Sequence, residues 1–358
     1  MKAEIKRYPI YRKKRFWAGI LLAQFLLFYV ASRIDFAIAF FEMFFELQKK
    51  WHQQLFASFP FSVGDVFYIL VISFLIYLVI QSIKKKERNR QWIKSLMLLN
   101  ILYLTYQVFW GMLYFQKPLR DQLPEKEIEI SQMKTLTLKY LNSCKESRLL
   151  VREDVNGVFD INNLDAIKKE ILQKQNKLPS FLNAKRSPEI NCMKPSLFKG
   201  IMSYTGILGY YNPFTAEAQY NADLPATYIP FTLSHESAHQ LGYAREQEAN
   251  FIGYLVGKDS KNADLKYSTQ YFVLKSLLSS LSETDADFVK DVLLNFSAGM
   301  QRDRKAEKDF VKKHEGLLEV FFGYTNDLFL KSNQQEGSIT YSYFIDLLLR
   351  YESTPHLK

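Results

Sequence analysis

The sequence predicts a mainly α chain: three N-terminal membrane helices, then an α+β domain that is largely helical and carries one small β-hairpin. Three observations predict it. Three long stretches near the N-terminus hold no charged residue. Most of the remainder repeats apolar residues three and four apart, the period of an amphipathic helix. A single stretch, 200–221, instead mixes glycines with aromatic and small residues around a turn sequence.

The uncharged runs are Phe16–Ser32, Val66–Ile83 and Ser95–Gln116. Each approaches or exceeds the ~20 residues that a helix needs to cross a bilayer. The third contains Asn100, Thr105, Gln107 and Gly111, which suit a helix that faces other helices as well as lipid. A membrane region over 1–116 follows, with spans near 16–32, 66–83 and 95–116. Between the first two spans, IDFAIAFFEMFFELQKKW puts Asp35, Glu42, Glu46 and Lys49 near one helical face. That pattern fits a helix in the membrane interface or packed on the other helices, or a continuation of the first span. No cleavage site follows the first apolar run, so it reads as a retained anchor.

Charge supports this organisation. The 358-residue chain carries net +10. Residues 1–15 hold seven Lys/Arg and residues 84–94 hold six, with one Glu in each. These two clusters account for the whole excess. The basic balance therefore describes membrane flanks and not a nucleic-acid surface. Under the positive-inside rule both clusters are cytoplasmic, which with three spans places the remainder outside the cytoplasm. The expected partners are the lipid bilayer and a peptide or protein substrate, with no nucleic acid; no oligomeric state is defined.

Residues 117–130, with Pro118 and Pro124, read as a linker, and 131–358 as the extracytoplasmic domain. Helical spacing recurs over 131–150, 164–177, 268–281, 286–299, 305–331 and 340–351. Within GIMSYTGILGYYNPFTAEAQYN the spacing predicts two strands joined near Asn212–Thr215. Such a hairpin can hold an extended substrate or simply pack. Cys144 and Cys192 lie in the part placed outside, where either a disulfide or two free thiols fit.

The chemistry sits in HESAHQLGYAREQEAN, residues 235–250. His235 and His239 are four apart, so on a helix their rings lie about 40° apart around the axis. Two neutral imidazoles so placed can share one Zn2+. Glu236 stands between them, in reach of a water at that ion, as general base. Glu246 follows seven residues after His239 as the third ligand. Three protein ligands and an open position make a catalytic zinc site rather than a closed structural one. Only five histidines occur in the chain, and two fall here. Pro230 suits a first helical turn, and Gly242 suits the helix end. Asn250, one turn after Glu246, can accept from the free ring N–H of a ligating histidine. Glu248, about 200° around from Glu246, reads as a structural partner and remains the alternative ligand. Tyr204, Tyr210, Tyr211, Tyr341 and Tyr343 are the candidates for stabilising an oxyanion.

HESAH followed by EQEAN resembles the gluzincin zinc peptidases, in which a second helix supplies the third ligand. The larger block, from YTGILGYYNPFTAEAQ through HESAHQLGYAREQEANFIGYL, resembles an uncharacterised family of bacterial membrane proteins with zinc-peptidase signatures and three N-terminal membrane helices. The resemblance implies a gluzincin-like fold, a multi-pass protein of the cytoplasmic membrane, and peptide-bond hydrolysis by His235, Glu236, His239 and Glu246. It implies no substrate. Two departures stand out: the seven-residue interval with its Gly turn is nearer to metzincins, which place a histidine where this chain has Arg245, and Asn250 replaces the commoner Asp. Two other readings remain: a zinc-binding membrane sensor or scaffold without catalysis, and a structural membrane protein.

Overall fold

A computed structural model describes residues 9–125, 129–182, 185–316 and 340–354, the last segment with side chains from residue 343. The second half of the helix expected over 305–331, and the side chain of Tyr341, lie outside the described residues. Among those described the chain is mainly helical, with one small sheet. It divides into two compact units: Met1–Leu47 with Val63–Gln116, and Gln48–Ser62 with Lys117–Lys358.

In the first unit, α1 (Lys14–Ala31) and α3 (Val63–Ser82) are long and apolar enough to span a membrane. Their side chains face outward: Leu27, Leu70 and Val79 are each more than 60% exposed. Apolar side chains in that number are costly in water and favourable in lipid. The helix after α1 is not its continuation. The chain turns at Ser32–Ile34 and restarts as α2 (Asp35–Ala57). Phe36, Met43, Leu47 and Trp51 of α2 are exposed, whereas Phe45 and Lys49 are buried. The boundary between the units falls within α2, after Leu47.

The third expected span is corrected. α4 (Arg88–Phe109) begins inside the basic cluster and stops at Phe109, and Gly111–Phe115 winds into a 3-10 turn. Trp110, Met112, Leu113 and Tyr114 are buried. The 22-residue uncharged run is thus part helix and part buried turn, and only α1 and α3 pass as spans among the described residues. Counting uncharged residues detects apolarity but not where a helix ends. The buried Asn100 donates to Trp17 O (3.0 Å) and Leu96 O (2.7 Å), tying α4 to α1 by a polar contact that a lipid-facing position would not supply.

In the second unit α5 (Ile130–Arg148) and α6 (Leu164–Gln175) come first. Residues expected to form a linker contribute to the core instead: Leu119 and Leu123 are buried in the same apolar cluster as α5. Next come β1 (Met193–Pro195), α7 (Lys199–Thr205), β2 (Gly209–Asn212) and β3 (Glu217–Tyr220). The sheet order is β1-β3-β2; β2 and β3 form the antiparallel hairpin, and β1 runs parallel to β3. The helices α8 (Ile229–Leu241), α9 (Glu246–Gly257), α10 (Ala263–Leu281), α11 (Ala286–Leu294), α12 (Ala298–His314) and α13 (Thr340–Glu352) follow. The hub is the α8–α9 pair, with the sheet and α10 packed on α8 and α13 on α9. Leu233, Leu241, Phe251, Ile252, Leu274 and Leu277 have no accessible surface. Cys144 and Cys192 are buried free thiols, so no disulfide joins them.

The C-terminal half of α2 is built into this unit. A helix leaves its last carbonyls without intrahelical partners. At the end of α8, Gln53 Nε2 donates to Gln240 O (3.0 Å), Lys49 Nζ to Leu241 O (3.4 Å) and Lys185 Nζ to Gly242 O (2.7 Å). Two ammonium groups there also oppose the negative end of the helix dipole. Lys194 pairs with the fully buried Glu217 (2.8 Å) and donates to Phe56 O and Phe61 O. These contacts fix the end of α8 that carries His239.

Candidate metal centre

α8 is started and stopped by local sequence. Pro230 occupies its first turn, where a missing N–H costs little. Gly242 ends it at φ +100°, a conformation that an L side chain resists. Gly242 N–H bonds His239 O (2.9 Å) and Tyr243 N–H bonds Ala238 O (3.2 Å), the paired bonds of a Schellman turn. The same turn aims Tyr243 O back at the helix, where it accepts from His239 Nδ1–H at 2.6 Å. α9 starts three residues later with Glu246 as its first residue. The two helices approach closely: a Cβ on Gly253 would sit 3.2 Å from His235 N, and Ser234 Oγ donates to Gly253 O (3.1 Å).

This arrangement brings His235, His239, Glu246 and Asn250 together. His235 Nδ1–H donates to Asn250 Oδ1 at 2.8 Å. With both Nδ1 atoms engaged as donors, both Nε2 atoms point toward Glu246. His235 Nε2 lies 3.2 Å from Glu246 Oε2, and His239 Nε2 lies 3.6 Å from Glu246 Oε1. One donor atom from each of the three residues lies within 4.8 Å of the others. Imidazole lone pairs facing carboxylate oxygens repel unless a proton or a metal cation sits between them. Around a tetrahedral zinc with bonds of about 2.0–2.1 Å, donors are separated by about 3.3–3.4 Å. The two nitrogen–carboxylate separations, 3.2 and 3.6 Å, lie on either side of that value, and two imidazole nitrogens with one carboxylate are a catalytic zinc donor set. The residues fit the ion.

The protonation preferences describe the same need for positive charge. Desolvation works against a charged His235, but the hydrogen bond with Glu246 and the charges of Glu236 and Glu246 raise it to about 9. Desolvation also works against an ionised Glu246, yet the two imidazoles hold its carboxyl down to about 2. His239 is lowered to about 4 by burial, so it stays neutral and keeps its Nε2 lone pair. Burial pushes Glu236 up to about 8, with His235 partly offsetting it.

Glu236 is 4% exposed, and its Oε2 has no hydrogen-bond partner among the described residues. A buried carboxylate oxygen without a partner is costly and calls for a functional explanation. Gly209, the first residue of β2, lies directly against it: a Cβ there would come within 2.7 Å of Glu236 Oε1 and 2.8 Å of Gln219 O. Gly209 is one of the glycines of the 200–221 stretch, and a contact between residues 27 apart leaves no local pattern. Gly209→Ala must displace the Glu236 side chain or the Gln219 carbonyl and is therefore expected to lower the melting temperature of the purified chain in a thermal denaturation measurement.

Glu248 does not join the cluster. Its Oε1 accepts from Leu119 N–H (2.9 Å) and from Arg245 Nη1 (3.0 Å). Arg245, at the position where metzincins carry a histidine, thus has a structural partner. Of the tyrosines considered for an oxyanion, Tyr204 packs edge-on against His314 (4.9 Å between centroids) and Tyr211 is buried on β2. Arg120 lies over the ring of Tyr343. Asn250 fixes the ring of His235, and partners of ligating histidines typically change metal affinity about 10–100-fold. Asn250→Ala is expected to weaken zinc binding by that factor in a competition titration with a chromophoric chelator.

No curated protein sequence and no solved structure matches the chain. One protein family, described as protein of unknown function DUF3810, matches residues 40–349, most of the sequence, and includes both helices of the cluster. The chain belongs to that family.

Proposed function

We propose that the chain is a membrane-anchored zinc metallopeptidase with a gluzincin-like site. The observation that carries the reading is the convergence of His235 Nε2, His239 Nε2 and Glu246 near the buried Glu236, whose Oε2 has no partner among the described residues. His235, His239 and Glu246 would hold the ion, and Asn250 and Tyr243 O would orient the two rings. When bound, zinc supplies Lewis acidity at the scissile carbonyl. Glu236 takes the proton from the attacking water and delivers it to the leaving amine. β2 is an edge strand of the sheet. An extended peptide adding to that edge by main-chain hydrogen bonds would pass the Gly209–Glu236 contact, which supports a peptide as substrate.

The test is incubation of the purified full-length chain with a mixed-sequence peptide library, read by mass spectrometry. New peptide termini that vanish with chelator and return with zinc are the expected result. A zinc-loaded chain that cleaves nothing would remove the enzymatic reading. The same reading puts the second unit outside the cytoplasm. Its support is that the positive-inside rule assigns the basic clusters before α1 and after α3 to the cytoplasm and so puts the segment between those helices outside; α4 must then also carry the chain across the bilayer to bring Lys117–Lys358 to that side. Gln48–Ser62, between those two helices in sequence, belongs to the second unit. A reporter fused after residue 358 should report an extracytoplasmic position, and a cytoplasmic signal would overturn that assignment.

A further inference from the structure

A second site lies elsewhere in the second unit. α10, α11 and α12 line a groove of about 560 Å3 that is open to solvent along the exposed Lys308, Val311 and Lys312 of α12; its volume is within the roughly 300–1,000 Å3 typical of small-molecule sites. Its lining separates into two characters. Leu278, Leu293, Phe296 and Val311 give it an apolar wall. Arg304, Lys308 and Lys312, each four residues apart on α12, put three cations along one side.

Among the described residues, no side-chain hydrogen bond or ion pair engages Arg304, Lys308 or Lys312. The fourth cation, Lys275, is committed: its Nζ pairs with Glu307 Oε1 (2.8 Å) and lies 4.0 Å from the centroid of the Tyr228 ring. Glu307 is buried and also accepts from Thr227. Glu315 is the one remaining acid in the lining, so three uncommitted cations face one carboxylate. A row of like charges on one helix face is unfavourable for the helix by itself. Beside an apolar groove it is complementary to an anion with a hydrocarbon tail.

We propose that this groove binds an amphiphilic anion: an acyl chain against Leu278, Leu293, Phe296 and Val311, with its carboxylate or phosphate held by Arg304, Lys308 and Lys312. Guanidinium and ammonium donors give charge-assisted hydrogen bonds to such a headgroup, and the tail gains from leaving water. The ligand is a membrane phospholipid or a free acyl acid, which share this chemistry.

The test uses the full chain in nanodiscs of neutral phosphatidylcholine with a photoreactive decanoate that carries a diazirine on its chain. Cross-links should map to Leu278, Leu293 and Val311, and should be competed by decanoate but not by decanol. In the triple variant Arg304→Ala, Lys308→Ala, Lys312→Ala, half-saturation should rise at least tenfold, because the three charges that hold the headgroup are removed. A charge-conserving triple variant, Arg304→Lys, Lys308→Arg, Lys312→Arg, should restore labelling. Repetition in phosphatidylglycerol nanodiscs distinguishes the sources: competition by the anionic lipid identifies the membrane, and its absence identifies a soluble acyl acid. Labelling unchanged by the alanine triple, equal competition by decanol, or cross-links confined to other parts of the chain would overturn the proposal.

Discussion

Glu236→Gln is expected to abolish peptide turnover and leave the zinc content of the purified chain unchanged. The substitution keeps the shape of the side chain and removes its capacity to take a proton. A positioned general base contributes about 10²–10⁴-fold to rate, or roughly 3–5 kcal/mol of barrier. Glu236 is no part of the donor set that converges within 4.8 Å, so the ion should remain. A chain whose zinc serves a sensor or scaffold would behave identically in every assay with or without this substitution. Retained turnover in the variant would assign the base to another residue.

His239→Ala is expected to weaken zinc binding about 10²–10⁴-fold. A structural or catalytic zinc bound by three or four protein ligands contributes roughly 10–16 kcal/mol, so one ligand is worth roughly 3–5 kcal/mol, or about 10²–10⁴ in affinity. The consequence extends to stability. A ligand at a thousandfold excess over its Kd stabilises the folded state by about 4 kcal/mol. The wild-type chain should therefore melt several degrees higher with zinc than with chelator, and in the variant that difference should shrink to about a third or less. A zinc-dependent shift that persists undiminished in His239→Ala would place the ion elsewhere.

The candidate site was legible because its parts are close in sequence. Two ligands on one helical turn, a glycine that stops the helix, and a third donor at the start of the next helix all fall within residues 235–250. The hairpin was legible for a similar reason: Asn212-Pro-Phe-Thr is a local turn signal, and Asn212 Oδ1 accepts from Phe214 N–H as that signal implies. Features set by distant contacts were not legible. β1 has three residues and exists because Met193–Pro195 pairs with Ala218–Tyr220. Leu119 and Leu123 looked like linker residues because their neighbours are charged or proline, yet they supply core. The capping of α8 by Lys49 and Gln53 joins residues nearly 200 positions apart. Composition suggested the third span, and a helix end at Phe109 removed it.

The account depends on zinc held by two imidazoles and a carboxylate. X-ray absorption on the zinc-loaded full-length chain tests this directly. The predicted spectrum has a first shell of nitrogen and oxygen at about 2.0–2.1 Å with imidazole multiple scattering and no sulfur at about 2.3 Å. A sulfur shell would implicate Cys144 or Cys192 as ligands, and that result, or a chain that retains no zinc, would contradict the account.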